Sequence, residues 1–101
     1  MKKYILNKDG SIQEESDLFK WARWFETENR IIEKTILDKS DIMVSTVFLG
    51  IDHNFGEAGP PILFETMIFG GEHDQWQARA STIEEAKRYH RHAIELARNI
   101  I

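Results

Sequence analysis

A chain of 101 residues, 42% hydrophobic and 11% aromatic, has the length and composition of one folded domain spanning residues 1–101. It contains no cysteine, which excludes disulfides and thiolate zinc sites. Its net charge of −4 argues against general nucleic-acid binding, whose affinity comes mainly from neutralising phosphates.

The chain turns polar directly after Tyr4-Ile-Leu6, too early for a secretory signal, and no stretch approaches the roughly 18 apolar residues of a membrane span. The expectation is a cytoplasmic protein with no membrane segment. Asn7-Lys-Asp-Gly10 then separates Tyr4-Ile-Leu6 from Ile12, and Asp-Gly between short extended runs signals a hairpin. Ser16 and Asp17 both suit an N-cap and predict a helix over 18–27. Leu18, Trp21, Ala22 and Phe25 fall at the spacing of a core stripe. Phe19 and Trp24 lie off it and are read as an interface for self-association, most simply a homodimer.

Residues 30–37 read as a strand, followed by a polar turn at 38–41. The strongest β signals are 43–51 and 62–69, two β-branched and aromatic runs joined by the loop 52–61. A glycine-rich turn at 70–75 leads to a short strand at 76–80. Ser81-Thr82 with Glu84 and Glu85 offers a capping box in either frame, predicting a last helix from 83 to about 98. Ile83, Ala86, His90, Ala93, Ala97 and Ile100 form its apolar stripe, widened by Ile94. The cluster Lys87-Arg-Tyr-His-Arg-His92 reads as a solvated helix face.

Short connections favour an antiparallel order. The expected fold is α+β: an antiparallel β-meander of at least four strands, with an N-terminal hairpin and two helices packed on the sheet. Both strong strands are apolar on both faces, unlike antiparallel strands with one wet side. Either helices cover one face and the hairpin or a second subunit the other, or each face is split along its length.

In such a meander Arg30, the loop 52–61 and Ser81-Thr82 share one end of the sheet. His53 and His73 fall at opposite ends of a strand, roughly 25 Å apart, and cannot share a metal within one subunit. No metal or cofactor is expected. His90, on the apolar stripe, reads as a hydrogen-bonded core histidine. Glu65, in the middle of an apolar strand, reads as one half of a salt bridge with Lys34 or Arg79, or as a residue on an edge exposed to solvent, ahead of a catalytic acid. Asp52 and His53 have the chemistry of an orienting acid and a base, but no nucleophile stands in a recognised motif, so no catalytic residue is assigned. The loop instead reads as a recognition surface presenting Asp52, His53, Asn54 and Phe55 beside Arg30. The bland alternative is an Asx-type turn stiffened by Pro60-Pro61.

Trp21-Ala-Arg-Trp-Phe-Glu26, Val44-Ser-Thr-Val-Phe-Leu-Gly-Ile-Asp-His-Asn-Phe-Gly56 and Pro60-Pro-Ile-Leu-Phe-Glu-Thr-Met-Ile-Phe-Gly-Gly71 resemble a family of small phage, prophage and bacterial proteins. The resemblance implies an accessory protein of mobile-element origin and carries over no activity, cofactor or catalytic residue. The functional expectation is a non-enzymatic protein that binds and modulates a host macromolecule. The competing expectation is a small-molecule or anion-binding protein, or a weak hydrolase, using the 52–61 loop and the start of the last helix.

Overall fold

The computed structural model describes residues 1–37, 40–56 and 58–98. The expected turn at 38–41 and Ile100 on the expected stripe therefore fall partly or wholly outside the described residues. The elements are β1 (Tyr4–Leu6), β2 (Ile12–Glu14), α1 (Leu18–Thr27), β3 (Ile31–Ile36), β4 (Met43–Phe48), β5 (Phe64–Phe69), β6 (Gln77–Ala80) and α2 (Ile83–Ala97). β1 and β2 form an antiparallel hairpin, and β3-β4-β5-β6 form an antiparallel meander in chain order. The fold is the expected α+β arrangement.

Caps set the helix starts. The Asp17 carboxylate accepts from the N–H groups of Phe19 and Lys20, satisfying two of the donors a helix N-terminus leaves free. At α2 the Thr82 hydroxyl accepts from Glu85 N–H, while the Glu85 carboxylate reaches back to Ser81 N–H. This is a capping box with its return bond displaced by one residue.

The strands end earlier than their apolar runs. β4 stops at Phe48 because the chain turns at Gly50, whose φ of 78° belongs to the left-handed region. Gly50 carbonyl accepts from Tyr4 N–H and from the Trp21 indole N–H, and Lys3 bridges Ile51. The continuation of β4 thus leaves the sheet to anchor the hairpin and α1.

Cross-strand register sorts the sheet into two faces. On one lie Val44, Thr46 and Phe48 of β4 with Phe64, Thr66 and Ile68 of β5, all buried. α2 runs across this face from β6 to β3. Phe48 and Phe64 meet edge-on at 5.4 Å, and Trp24 meets Phe48 edge-on at 5.7 Å. Tyr4 and Leu6 of the hairpin pack on the same cluster. Hairpin, α1 and α2 therefore gather on one side, so the hairpin does not cover the second apolar face of the strong strands. The other side is left to Ile31, Ile36, Met43, Val47, Met67 and Phe69, and among the described residues no helix packs on it.

Helix α1 departs from its expected stripe. Leu18 is 54% exposed, whereas Trp24 turns inward onto Phe48 and Trp21 is buried. The helix packs on β1 and the end of β4 rather than flat on the sheet, so its buried arc is rotated toward Trp24. Phe19 stays 79% exposed.

Candidate functional site

Three places hold the unusual chemistry: the 52–61 loop, a polar network inside the core, and the open sheet face. In the loop, Asp52 Oδ1 accepts from Asn54 N–H at 2.8 Å and from Ile62 N–H at 2.9 Å. The first bond is an Asx turn, and the second ties the two loop ends together. Asn54 Nδ2 donates to the Pro60 carbonyl at 3.0 Å, which fixes the amide orientation and leaves its Oδ1 buried without a partner among the described residues. His53 Nδ1 donates to the Ile51 carbonyl at 2.8 Å. A carbonyl only accepts, so Nδ1 is the donor in this bond.

These polar side chains thus hold the loop's own shape. What the loop presents is Phe55, 64% exposed, with its ring 5.4 Å from that of His53. Arg30 is engaged elsewhere. Its guanidinium lies 3.8 Å above the Phe25 ring and donates to the Phe48 carbonyl at 3.2 Å, a cation–π contact within the scaffold.

The second place was not foreseen as a unit. His90 of α2 has no exposed surface, and both ring nitrogens have partners. Nδ1 lies 2.8 Å from Thr46 Oγ1, which lies 2.6 Å from Thr66 Oγ1. Nε2 lies 2.9 Å from Thr35 Oγ1 and 3.6 Å from a Glu33 carboxylate oxygen. A bare nitrogen lone pair facing a carboxylate would be repelled, so Nε2 carries the proton, a tautomer assigned from its partners. Nδ1 then accepts from the Thr46 hydroxyl, which accepts from Thr66. Burial holds the imidazole below its usual pKa, with the Glu33 carboxylate acting in the opposite sense.

Glu33, His90 and Thr46 line up as carboxylate, imidazole and hydroxyl, the parts of a base-activated nucleophile. Access decides against that use. Thr46 and His90 are fully buried and Thr66 nearly so, hence no substrate atom reaches the hydroxyl. The network pins α2 to β3, β4 and β5, and His90 is the hydrogen-bonded core histidine its place on the stripe suggested. The signal for the rest lay in the strands. Thr46 and Thr66 occupy positions between apolar residues on the same face as Val44, Phe48, Phe64 and Ile68, where a hydroxyl needs a buried partner.

The third place is the open face. Its cross-strand rows are Ile31–Val47–Glu65–Arg79, Lys34–Ser45–Met67–Gln77 and Ile36–Met43–Phe69. Arg79 Nε donates to Glu65 Oε2 at 2.9 Å, so of the alternatives the sequence left open it is the salt bridge with Arg79 that forms. Ile36 is 65% exposed and Phe69 40%.

Among the described residues no three of His, Asp and Glu gather as a metal site. No helix among them is long and apolar enough to cross a membrane. Comparison of the chain with protein families, with curated proteins and with solved structures finds no match.

Proposed function

We propose that this chain is a non-enzymatic interaction protein that binds and modulates a host macromolecule, as an accessory protein of phage or mobile-element origin would. The observation that carries the reading is the open sheet face. Six apolar side chains stand on a rigid four-stranded support with no helix over them among the described residues. Exposed apolar side chains grouped on an uncovered sheet face support an interaction surface. Phe55, at the tip of a loop braced by Asp52 and Asn54, adds a second exposed aromatic. Homodimerisation belongs to the same reading.

The competing reading, anion binding at the start of α2, gains nothing from the geometry. Thr82 already accepts from Glu85 N–H, and Glu84 and Glu85 place negative charge where an anion would sit. The test is affinity purification of the tagged protein from its own host, in the wild type and in Ile36→Glu and Phe69→Glu. A macromolecule recovered in stoichiometric amount with the wild type and lost from both folded variants supports the proposal. Recovery of no macromolecule, or equal recovery with all three proteins, overturns it.

A further inference from the structure

We infer that the macromolecular partner is a protein that adds an extended segment to the outer edge of β3, antiparallel to it, as a fifth strand of the sheet. This rests on reading the open face as an interaction surface, and it names the class of partner. Backbone pairing is the first argument. β3 ends the sheet and pairs only with β4. Leu37 N–H donates to the Ile42 carbonyl, and the register sets Thr35 opposite Val44 and Glu33 opposite Thr46. Antiparallel ladders bond at alternate residues, so Glu33, Thr35 and Leu37 turn their backbone groups toward β4. Lys34 and Ile36 turn theirs outward, and among the described residues no strand pairs with them. Two N–H donors and two carbonyls in extended geometry match another strand, and nucleic acid does not offer that alternation. The bulge between Ile31 and Glu33, with the Asn29 side chain accepting from Ile31 N–H, closes the start of β3. The open stretch is therefore residues 33–36.

Side chains select the edge and the segment. At the other edge Ile68 N–H donates to the Trp76 carbonyl, so β6 turns Gln77 and Arg79 outward. Both are polar, and Arg79 is bound to Glu65. β3 instead carries Ile36, 65% exposed, on the open face. Lys34, two residues before it on the same face, has no ion pair among the described residues. An edge lysine deters indiscriminate strand pairing. It also favours a carboxylate directly opposite, because unlike charges paired across strands stabilise and like charges do not. In an antiparallel segment the residue opposite Ile36 comes first and the residue opposite Lys34 two later. The segment thus reads apolar, any residue, acidic, with its apolar side chain extending the row Ile36–Met43–Phe69.

Amide hydrogen exchange of the isotope-labelled full chain, followed by nuclear magnetic resonance, tests this. The probe is a synthetic peptide of alternating threonine and valine in which one aspartate stands two residues after a valine. Its twin has lysine in place of the aspartate. In the protein alone, the amides of Lys34 and Ile36 should exchange faster than those of Glu33 and Thr35. At about ten times its Kd, the aspartate peptide should slow both outward amides about tenfold, the ceiling set by the unbound fraction. The lysine twin should bind at least about threefold more weakly, and Lys34→Glu should reverse that preference. Ile36→Pro removes an outward donor that β4 does not use and should weaken the aspartate peptide at least about fivefold. Gln77→Pro, on the other edge, should not.

Outward amides already slow in the protein alone overturn the inference. So do outward amides still unprotected at about 2 mM aspartate peptide, or equal binding of the twin. The exchange measurement decides even where a proline variant fails to fold. A host macromolecule lost from Ile36→Glu and Phe69→Glu, beside outward amides that no peptide protects, would defeat strand addition and leave the proposed function standing. Peptide addition at this edge with no host macromolecule recovered would do the reverse.

Discussion

Thr46→Val isolates the buried network with almost no change in side-chain volume. Thr46 Oγ1 is the junction: it donates to His90 Nδ1 and accepts from Thr66, at 2.8 and 2.6 Å, with no exposure to water. Valine removes both bonds and strands His90 Nδ1 and the Thr66 hydroxyl in the core. Each lost bond is worth about 1 kcal/mol net, and a stranded buried group costs about 1–3 kcal/mol. The expected loss is about 2–4 kcal/mol. In a domain of this size that lowers the melting temperature by roughly 10–20 °C. Thr66→Val breaks one bond and leaves the Thr46–His90 contact, so it should cost about 1 kcal/mol. The double variant should cost less than the two singles added, because the Thr66 hydroxyl stranded by the first change is absent after the second. Urea denaturation followed by tryptophan fluorescence measures all three. Equal costs for the two single variants, or strict additivity in the double, would refute a network with Thr46 at its centre.

Stability should also fall as the solution is acidified through the range of histidine titration. His90 is held neutral by burial, so its folded pKa lies below the value of about 6.5 it takes in the unfolded chain. Below about pH 6.5 the unfolded chain binds a proton the folded chain does not, and stability drops by up to about 1.4 kcal/mol per pH unit until the folded pKa is reached. Urea midpoints between about pH 5 and 7 should therefore show a slope that His90→Gln reduces; an identical slope in the variant would refute the assignment. Three glycines with positive φ should rank by what a methyl group meets. Gly70→Ala drives its Cβ to 2.8 Å from the Asp41 carbonyl and should cost most; Gly50→Ala, at 3.3 Å from Phe25, should cost less; and Gly10→Ala, with open space, should show only the backbone strain of about 1 kcal/mol. Thermal melts of the three variants check the order.

The elements whose signals are local were legible in the chain. Asp17 and Thr82 announce helix starts because their short oxygens suit the free donors of a first turn. Asp-Gly announces the hairpin because it tolerates the positive φ that Gly10 adopts. What was not legible depended on tertiary placement. The run through Leu49 and Ile51 looks like uninterrupted strand, and only the docking of Trp21 against Gly50 shows why it ends. Trp24 sits off an ideal stripe, yet α1 meets the hairpin at an angle that turns Trp24 onto Phe48. Likewise the polar residues of the 52–61 loop suggest a presented surface, but hydrogen bonds turn Asp52 and Asn54 back onto their own backbone and leave Phe55 facing solvent.

The two sheet faces explain why one set of polar residues is silent and one apolar set is available. On the helix-covered face, each hydroxyl and the imidazole has a partner within the fold, and the cost of breaking one is a stability cost. Evolution of a binding surface there would first have to dismantle the contact between α2 and the sheet. On the open face the charged residues Glu65 and Arg79 already satisfy each other, and the apolar residues contribute little while they face water. Substituting Ile36 or Phe69 therefore leaves the core untouched. Folding thus constrains the first face through packing and hydrogen bonds at every position, and the second through its strand ladder and the Glu65–Arg79 pair.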